Sequence, residues 1–430
     1  MSAAAERTAK APPPGEGSGG AHAARRGVDL VFPRFKLLSG AERAILGLAE
    51  GLAAQGWSPR IVCHQFDDTC RPRLAAGVEL VVSGARLDFT GNRYLNAMFD
   101  YSRTLRLGTL LDPRAAFRVF FGPGLLLAWW HQGRNRRAFI PSIYYCWEPP
   151  RVLYQDREEV LRRIGALRWP MAAALAAYGR LDRRMVRKVD AVVTSSPFAA
   201  ERIAQCYGRS AGVITLGIDR DRLDAARPAV STGAAASGGA PNAARPPRLL
   251  TVNYLHPRKR VDLIIEAAAE LMSRFPAGAT DRPVLTVIGD GPERANLEAL
   301  AARLGIADRV EFAGFVAESE LPGYYWDATC YVHATRDESF GLSVIEASYC
   351  GRPIVAVDEG GVRDTVDDGV TGYRVAATPT AIADAVARVL WAPDGGAELG
   401  AAGRAKIAAQ FRWSRGAEDL VRAARGVAGC

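Results

Sequence analysis

The feature that most constrains the fold of this chain is the alternation of short apolar strands with amphipathic helices. Residues 28–32, for example, predict a strand, and residues 41–55 predict a helix whose apolar side chains recur at helical spacing. A second alternating set begins near residue 248. Strands that alternate with helices favour parallel sheets covered by helices. We therefore predict an α/β protein with two doubly wound, Rossmann-like domains.

At 430 residues, the chain is long enough for two domains that each bury a core. Residues 1–26 are rich in Ala, Pro and Gly and lack the apolar stretch of a secretory signal, which predicts a disordered tail. The first domain is predicted to cover residues 27–220 and the second residues 248–410. Between them, the Ala-, Gly-, Pro- and Ser-rich residues 221–247 predict a flexible linker, and residues 411–430 form the last segment.

The net charge of +9 is carried largely by arginine and fits a phosphorylated ligand, an anionic membrane or nucleic acid. No nucleic-acid-binding motif accompanies this charge, so we expect no nucleic-acid partner. The seven cysteines are scattered and form no CxxC pair, which argues against structural zinc and favours a reducing compartment. The longest apolar run, residues 119–130, is too short to span a bilayer. We expect a cytoplasmic protein.

Residues 86–137 are less regular and combine nine arginines and three aspartates with aromatic and leucine side chains. A basic, aromatic surface fits an anionic membrane, where each cation near the surface contributes about 1 kcal/mol. The alternative is an insertion that packs its aromatic side chains in the core and exposes its arginines. The sequence leaves both open, so peripheral association with the inner face of the membrane is one of two expectations.

Two glutamates of the second domain, Glu338 and Glu346, stand on either side of a glycine turn that follows a predicted strand and opens a predicted helix. Gly341 lets a ligand approach the backbone, and the first amides of the helix are unpaired donors at its positive end. Carboxylates and amides together suit a polyhydroxylated ligand. The alternative is that Glu338 only caps the helix and that Glu346 is a solvated surface charge.

Three consecutive cations, Arg258, Lys259 and Arg260, follow the first strand of the second domain where a helix begins. Cations in this position favour a phosphate, although a solvated basic loop is the alternative. Together with the glutamates of another loop at the same edge, they describe a nucleotide sugar. A dinucleotide site at residues 289–294 is disfavoured, because Arg294 stands where its fingerprint needs glycine.

Two candidates lie in the first domain, at loops that follow predicted strands. Gly40 ends the loop after the first strand, and Glu148 follows the strand at residues 140–146 in a turn with two prolines. Ligands bind at the carboxyl ends of parallel strands, which places both residues at the ligand edge. The alternatives are that Gly40 only eases the start of a helix and that Glu148 pairs with Arg151 or another nearby arginine.

Assembled, these motifs resemble the retaining glycosyltransferases of family 4, which have the GT-B fold. The resemblance runs over most of residues 27–425 and is strongest in the second half. The matching segments are Ser39-Gly-Ala-Glu-Arg43, Gly217-Ile-Asp219, Lys259-Arg-Val-Asp262, Gly289-Asp-Gly-Pro292, Gly314-Phe315, Glu338-Ser-Phe-Gly-Leu342 with Glu346, and Gly360-Gly361. The resemblance implies two domains that face each other across a cleft, with the acceptor in the first and the nucleotide sugar in the second.

The resemblance also implies roles for the glutamates and the turn. Glu346 would bind the nucleotide ribose. Glu338 would face the donor sugar together with the amides of Phe340, Gly341 and Leu342.

Other roles concern the phosphates and the base. Lys259 would neutralise the leaving diphosphate, so that neither a metal ion nor another cofactor is expected. Gly40 would let the loop of the first domain approach the same phosphates, and Phe315 and Val316 would hold the base. The last helix, around residues 411–415, would cross back to the first domain.

Two departures from the family pattern concern the phosphates and the acceptor. Tyr254 stands where the family usually has an arginine, and Arg258 or Arg260 is the candidate to replace its charge. On the acceptor side, Trp147 stands beside Glu148 in the place of a frequent histidine. Its segment, Tyr-Tyr-Cys-Trp-Glu-Pro, is similar to Tyr-Tyr-Cys-His-Phe-Pro of the mannosyltransferases that build lipid-linked oligosaccharides, which suggests mannose and a lipid-linked acceptor.

The expected function is therefore a retaining hexosyltransferase that moves a hexose, with mannose as the candidate, from a nucleotide sugar to a glycan or a lipid-linked glycan. One alternative is a glycosyl phosphorylase or a synthase of a soluble disaccharide on the same fold. The other is a non-catalytic protein that binds a sugar nucleotide.

Overall fold

The computed structural model describes residues 26–36, 38–84, 105–122, 140–163, 168–228, 245–276 and 279–428. Its chain divides into two units, one formed by Met1–Gly217 with Arg412–Cys430 and the other by Ile218–Phe411. Most of the predicted tail, residues 1–25, lies outside the described residues. In both units the described strands form a parallel sheet, as the alternating sequence pattern predicts.

In the first unit, seven described strands form a parallel sheet in the order β5-β3-β1-β6-β7-β8-β9, and β2 pairs separately with β4. The order reverses between β1 and β6. The elements are β1 (Gly27–Val31), β2 (Arg34–Phe35), α1 (Gly40–Ala54), β3 (Ser58–Cys63), β4 (Gln65–Phe66), β5 (Glu79–Val82), β6 (Phe117–Phe121), β7 (Ser142–Tyr145), α2 (Arg157–Arg163), α3 (Arg168–Lys188), β8 (Ala191–Thr194), α4 (Pro197–Tyr207) and β9 (Gly212–Val213), with 3₁₀ helices at Asp68–Arg73 and Leu105–Leu110.

The structure shows where some of the aromatic side chains of residues 86–137 lie, the segment for which the sequence left a membrane surface and a core insertion open. Phe117, Phe120 and Phe121 lie on β6, and all three side chains are buried in the first unit. These aromatic side chains therefore pack in the core, as the insertion alternative holds, and cannot face a membrane. Residues 85–104 and 123–139, which complete the segment, lie outside the described residues.

The second unit opens with α5 (Arg220–Ala225) and contains six described strands in the order β12-β11-β10-β13-β14-β15. The order reverses between β10 and β13. The further elements are β10 (Arg248–Val252), α6 (Val261–Ser273), β11 (Val284–Ile288), α7 (Arg294–Arg303), β12 (Val310–Gly314), α8 (Leu321–Asp327), β13 (Cys330–His333), α9 (Leu342–Tyr349), β14 (Ile354–Val357), α10 (Val362–Thr365), β15 (Gly372–Val375), α11 (Pro379–Leu390) and α12 (Ala397–Gln410), with 3₁₀ helices at Pro257–Lys259 and Ala307–Arg309.

Apolar strands cross the core of the second unit. Leu249, Leu285 and Val355 on its strands pack with side chains of α6 and α11 in one buried cluster. Such continuous apolar runs are typical of parallel strands that are covered on both faces.

The structure corrects the start of the predicted linker. Helix α5 occupies its first residues, and the side chain of Asp219 caps this helix by accepting from the N–H of Arg222. A flexible linker from residue 221 is therefore wrong at this end, because a local capping signal outweighs the composition. Residues 229–244, the rest of the Ala- and Gly-rich stretch, lie outside the described residues.

The last helix, α13 (Trp413–Ala428), belongs to the first unit. It packs against α1, where Gly47 leaves space for the Trp413 ring, since a Cβ there would lie 2.2 Å from it. Gln55 donates to the carbonyl oxygen of Ser414 at 2.6 Å. No helix in the described part of the chain is both long and apolar enough to cross a membrane.

Candidate functional site

The candidate site lies at the carboxyl edge of the second sheet, where the loops after the neighbouring strands β10 and β13 emerge side by side. Here the strand order reverses, and ligands of parallel α/β sheets bind in such crevices. The first loop carries Lys259 at the end of its 3₁₀ helix, and the second carries Glu338 ahead of α9. The structure thus brings together two residues that are far apart in sequence.

Lys259 and Glu338 form an ion pair. The Nζ of Lys259 donates to Oε2 of Glu338 at 2.5 Å, and each side chain is 19% exposed. Burial raises the pKa of Glu338, but the charge and the hydrogen bond of Lys259, together with the other cationic groups nearby, outweigh burial and lower this pKa to about 2. Glu338 is therefore ionised near neutral pH and suited to accept hydrogen bonds rather than to store a proton.

Hydrogen bonds tie the two loops to each other and to the loop after β14. The backbone N–H of Arg336 donates to the carbonyl oxygen of Arg258 at 2.9 Å. Arg260 donates to the carbonyl oxygen of Ala334 at 2.7 Å and to the two carboxylate oxygens of Glu359 at 3.2 and 2.8 Å. These bonds fix the backbone that carries the ion pair.

The glycine pair after β14 supports the glutamate loop from the other side. Gly361 donates its N–H to the carbonyl oxygen of Glu338 at 2.7 Å. A Cβ on Gly360, which has a φ of 73°, would lie 2.5 Å from the same oxygen. Side chains are excluded here because the two backbones touch.

Gly341 forms the turn that opens α9, with a φ of 86° that favours glycine. Phe340, just before it, is buried and packs its ring 5.9 Å from that of Phe411. The amides of Phe340, Gly341 and Leu342 thus lie at the positive end of the helix. Glu338 bonds to Lys259 and not to these amides, so the alternative that it only caps the helix is wrong.

Glu346 lies inside α9 and is fully buried. Arg222 donates from Nη2 to its Oε1 at 2.5 Å, and the hydroxyl of Tyr325 donates to its Oε2 at 3.1 Å. The alternative that Glu346 is a solvated surface charge is therefore wrong. Its contact with a ribose remains a prediction, and Arg222 is a partner that the sequence analysis did not identify.

Three further polar residues at this edge were missed. His333 ends β13, is buried, and has no hydrogen-bond partner for either ring nitrogen among the residues that the structure describes. Burial lowers its pKa to about 4, which keeps it neutral. Thr335 donates to the amide oxygen of Asn253 at 3.4 Å, and both are buried. The sequence signal that could have identified these three residues is their position at or just after the end of an apolar strand.

The residues proposed for the base and the phosphates lie in loops at the same edge. Phe315, directly after β12, is 76% exposed, and Val316 is half-buried. Tyr254 is 56% exposed and stacks on His256 with ring centroids 6.4 Å apart. Because a tyrosine side chain has no positive charge, it supplies no cation to this loop. Arg258 is half-buried and contributes to the low pKa of the ion-paired glutamate.

The first unit contains Gly40 and Glu148. Gly40 is the first residue of α1, and the hydroxyl of Ser39 before it donates to the carboxylate of Glu42. Glu148 follows β7 and lies 3.6 Å from the guanidinium of Arg151. The pairing that the sequence left open as an alternative for Glu148 is present, and a catalytic role for it stays a prediction.

Two family models match this chain. The "Glycosyl transferase 4-like domain" matches residues 39–217, and "Glycosyl transferases group 1" matches residues 239–406. The chain belongs to the glycosyltransferases of family 4. The predicted family is thereby confirmed, and its second model contains the ion pair of Lys259 and Glu338.

The chain is similar to curated members of this family over part of their length. A D-inositol 3-phosphate glycosyltransferase of Frankia alni is 41% identical over 184 residues, 41% of this chain and 44% of that relative. A GDP-mannose-dependent alpha-(1-6)-phosphatidylinositol monomannoside mannosyltransferase of Mycobacterium tuberculosis is 32% identical over 254 residues, 57% of this chain and 64% of the relative. The chain spans about half the length of the curated relatives it matches.

A solved structure extends the likeness over nearly the whole chain. Sucrose-phosphate synthase from Thermosynechococcus elongatus superposes with a TM-score of 0.70 at 19% identity, covering 94% of this chain and 100% of that one. At this identity the likeness shows the fold alone. The predicted α/β class and GT-B fold are confirmed.

Proposed function

We propose that this protein transfers a hexose, with retention, from a nucleotide sugar to a glycan or a lipid-linked glycan. The observation that carries the proposal is the Lys259–Glu338 ion pair at the edge where the second sheet reverses its strand order. Both side chains are partly exposed, and hydrogen bonds between their two loops fix the backbone that carries them. A cation for phosphates and a carboxylate for sugar hydroxyls lie together in one place.

Leaving-group stabilisation is assigned to Lys259. When the bond between the hexose and the diphosphate breaks, negative charge accumulates on the diphosphate, and a fixed ammonium lowers the energy of that state. Arg258, whose charge helps to lower the pKa of Glu338, replaces the family arginine at whose position Tyr254 stands. Arg260 donates to Glu359 and braces the loop. Side-chain cations thus fill the place of a metal ion, and no metal or other cofactor takes part.

The hexose is assigned to Glu338 and the turn. An ionised carboxylate accepts hydrogen bonds from two sugar hydroxyls, and the amides of Phe340, Gly341 and Leu342 donate to sugar or phosphate oxygens. Because its pKa is about 2, Glu338 positions the sugar and does not act as a general base.

The nucleoside is assigned to residues further along the same edge. Glu346 binds the ribose hydroxyls, and the base stacks near Phe315 and Val316, which directly follow β12. The exposure of Phe315 supports this role, since a base can cover a ring that is 76% exposed.

The acceptor is assigned to the first unit, with Glu148 and the loop at Gly40 as contributing residues. The names of the two relatives, with GDP-mannose and inositol compounds, support mannose as the hexose and a lipid-linked or inositol-containing acceptor.

Cytoplasmic location and peripheral contact with an anionic membrane belong to the same proposal. On α3, Trp169 and Leu181 are 79% and 39% exposed beside exposed arginines at 168, 180, 183 and 184. Flotation with anionic vesicles tests this contact, and binding that salt does not weaken would contradict it.

A thermal-shift panel of nucleotide sugars tests the donor. A ligand present at 100 times its dissociation constant stabilises a protein by about 2.7 kcal/mol, so a matching donor shifts the melting temperature measurably. Transfer to candidate acceptors follows with that donor. Release of sugar phosphate that requires inorganic phosphate would instead identify a phosphorylase, and tight binding without transfer would identify a binding protein.

A further inference from the structure

We propose that Arg222 is a positioning residue that orients the buried carboxylate of Glu346 for the ribose of the donor. Arg222 lies on α5, directly after the point at which the chain enters the second unit at Ile218. The inference rests on the proposed function, in which Glu346 binds the ribose.

The pair of Arg222 and Glu346 is buried. Glu346 has no exposed side-chain surface and Arg222 is 11% exposed, while the Nη2 atom of Arg222 and the Oε1 atom of Glu346 are 2.5 Å apart. A buried carboxylate that loses its cationic partner is strongly destabilised, so the guanidinium of Arg222 offsets the burial of Glu346. The hydroxyl of Tyr325 donates to the other carboxylate oxygen at 3.1 Å, so both oxygens of Glu346 are fixed in place.

The guanidinium of Arg222 is itself held by contacts within the unit. Its Nη1 donates to the carbonyl oxygen of Glu318 at 2.9 Å, and its Nε lies 3.8 Å from the carboxylates of Asp219 and Glu318. Asp219 also accepts from the backbone N–H of Arg222 at 3.1 Å. A guanidinium that is hydrogen-bonded at two of its nitrogens orients its partner more strictly than a single ammonium does.

Helix α5 is held in the second unit by contacts that do not involve the side chain of Arg222. Asp224 accepts from the hydroxyl of Tyr349 at 2.7 Å and from Arg404 at 3.0 Å. The indole N–H of Trp326 donates to the carbonyl oxygen of Leu223 at 2.7 Å. A substitution of Arg222 therefore leaves these contacts of the helix in place, so its effect on ligand binding reports on the pair with Glu346.

The test uses the ligand as well as the protein. Whichever of GDP and UDP binds is titrated by calorimetry in its ordinary form and in its 2′,3′-dideoxy form. In the wild type, loss of the ribose hydroxyls should weaken binding about tenfold, as expected for hydrogen bonds to a charged group. In Arg222→Gln, the ordinary nucleotide should bind about tenfold more weakly, and removing the hydroxyls should add less than about a twofold loss.

Arg404→Gln is the matched control, because it removes an arginine that holds the same helix without touching Glu346. It should retain the wild-type ratio between the two ligand forms. Arg222→Lys, which keeps the charge but not the fork, should fall between the wild type and Arg222→Gln. This second variant also provides the answer if Arg222→Gln does not fold.

The outcomes separate the inference from the proposed function. A wild-type ratio in Arg222→Gln or Arg222→Lys, together with a lost ratio in Glu346→Gln, overturns the role of Arg222 alone. A wild type that does not distinguish the two ligand forms contradicts the contact of Glu346 with the ribose, and with it the inference.

Discussion

The two glutamates of the turn and helix around Gly341 have the same chemistry and opposite surroundings. Glu338 pairs with Lys259, and each side chain keeps 19% of its surface exposed. Glu346 pairs with Arg222, and its side chain has no exposed surface. The two pairs therefore differ in exposure and not in charge. The exposed pair is the one that we assign to the phosphates and the hexose, and the buried pair is the one in which Arg222 holds Glu346 in position.

The largest expected effect concerns the exposed pair. We expect Lys259→Met to reduce turnover on the order of 100- to 1,000-fold, because the leaving diphosphate loses its fixed cation. Initial rates with the identified donor and acceptor measure this. Lys406→Met removes another lysine ion pair of the same unit, with Asp367 at 2.9 Å, and should leave turnover within about twofold. Turnover of Lys259→Met close to that of the wild type would contradict the role of the exposed pair in the reaction.

The buried pair should matter more for stability. Removing one partner of a buried ion pair leaves an uncompensated charge, so we expect Arg222→Gln to lower the unfolding free energy of the second unit by about 3 kcal/mol. Chemical denaturation followed by tryptophan fluorescence measures this. Arg404→Gln removes a more exposed pair and should cost less than about 1 kcal/mol. Equal costs would show that exposure does not separate the two kinds of pair.

The buried imidazole of His333, at the end of β13, predicts a pH dependence of stability. The pKa of His333 is lowered from 6.5 to about 4, so between these values the unfolded chain binds more protons than the folded chain. Stability should therefore fall on acidification from pH 6.5 to 4, on the order of 3 kcal/mol in total.

His333→Leu should remove this part of the slope. Glu338, whose pKa is lowered from 4.5 to about 2, should contribute to the loss that remains below pH 4.5. Melting temperatures across the pH range check both statements. An unchanged slope in His333→Leu would show that the imidazole does not titrate as described.

The smallest expected effect concerns the backbone contact that supports the exposed pair. Gly360→Ala introduces a Cβ that would lie 2.5 Å from the carbonyl oxygen of Glu338, at a φ of 73°. We expect a loss of about 1–3 kcal/mol of stability and a reduced affinity for the nucleotide sugar. Gly369→Ala has a similar φ but open space around the new Cβ. It should affect stability only.

Local patterns in the sequence predicted the two segments that carry the exposed pair, Lys259 and Glu338. The strand, glycine turn and helix around Glu338 and the cations around Lys259 each follow from neighbouring residues. Parallel strands then bring both loops to one edge. Short-range signals likewise mark β8 and α4, which are an apolar run and a helix with a proline at its start.

The buried pair of Arg222 and Glu346 could not be predicted in the same way. The partner of Glu346 is 124 positions away, and no local pattern connects it to Arg222. Burial of β6 similarly depends on its neighbours β1 and β7, so its phenylalanines could equally have formed a surface. At the start of the predicted linker, the capping residue Asp219 is a local signal for a helix, but the complete burial of Leu223 on that helix depends on long-range packing.

The most direct test of the account is a calorimetric titration of the nucleotide sugar and of its nucleoside diphosphate into three proteins. The account predicts that Lys259→Met weakens both ligands and that Glu338→Gln weakens only the nucleotide sugar, by about tenfold relative to the wild type. Equal affinity of the nucleotide sugar for the wild type and Glu338→Gln would contradict the claim that this pair binds the donor.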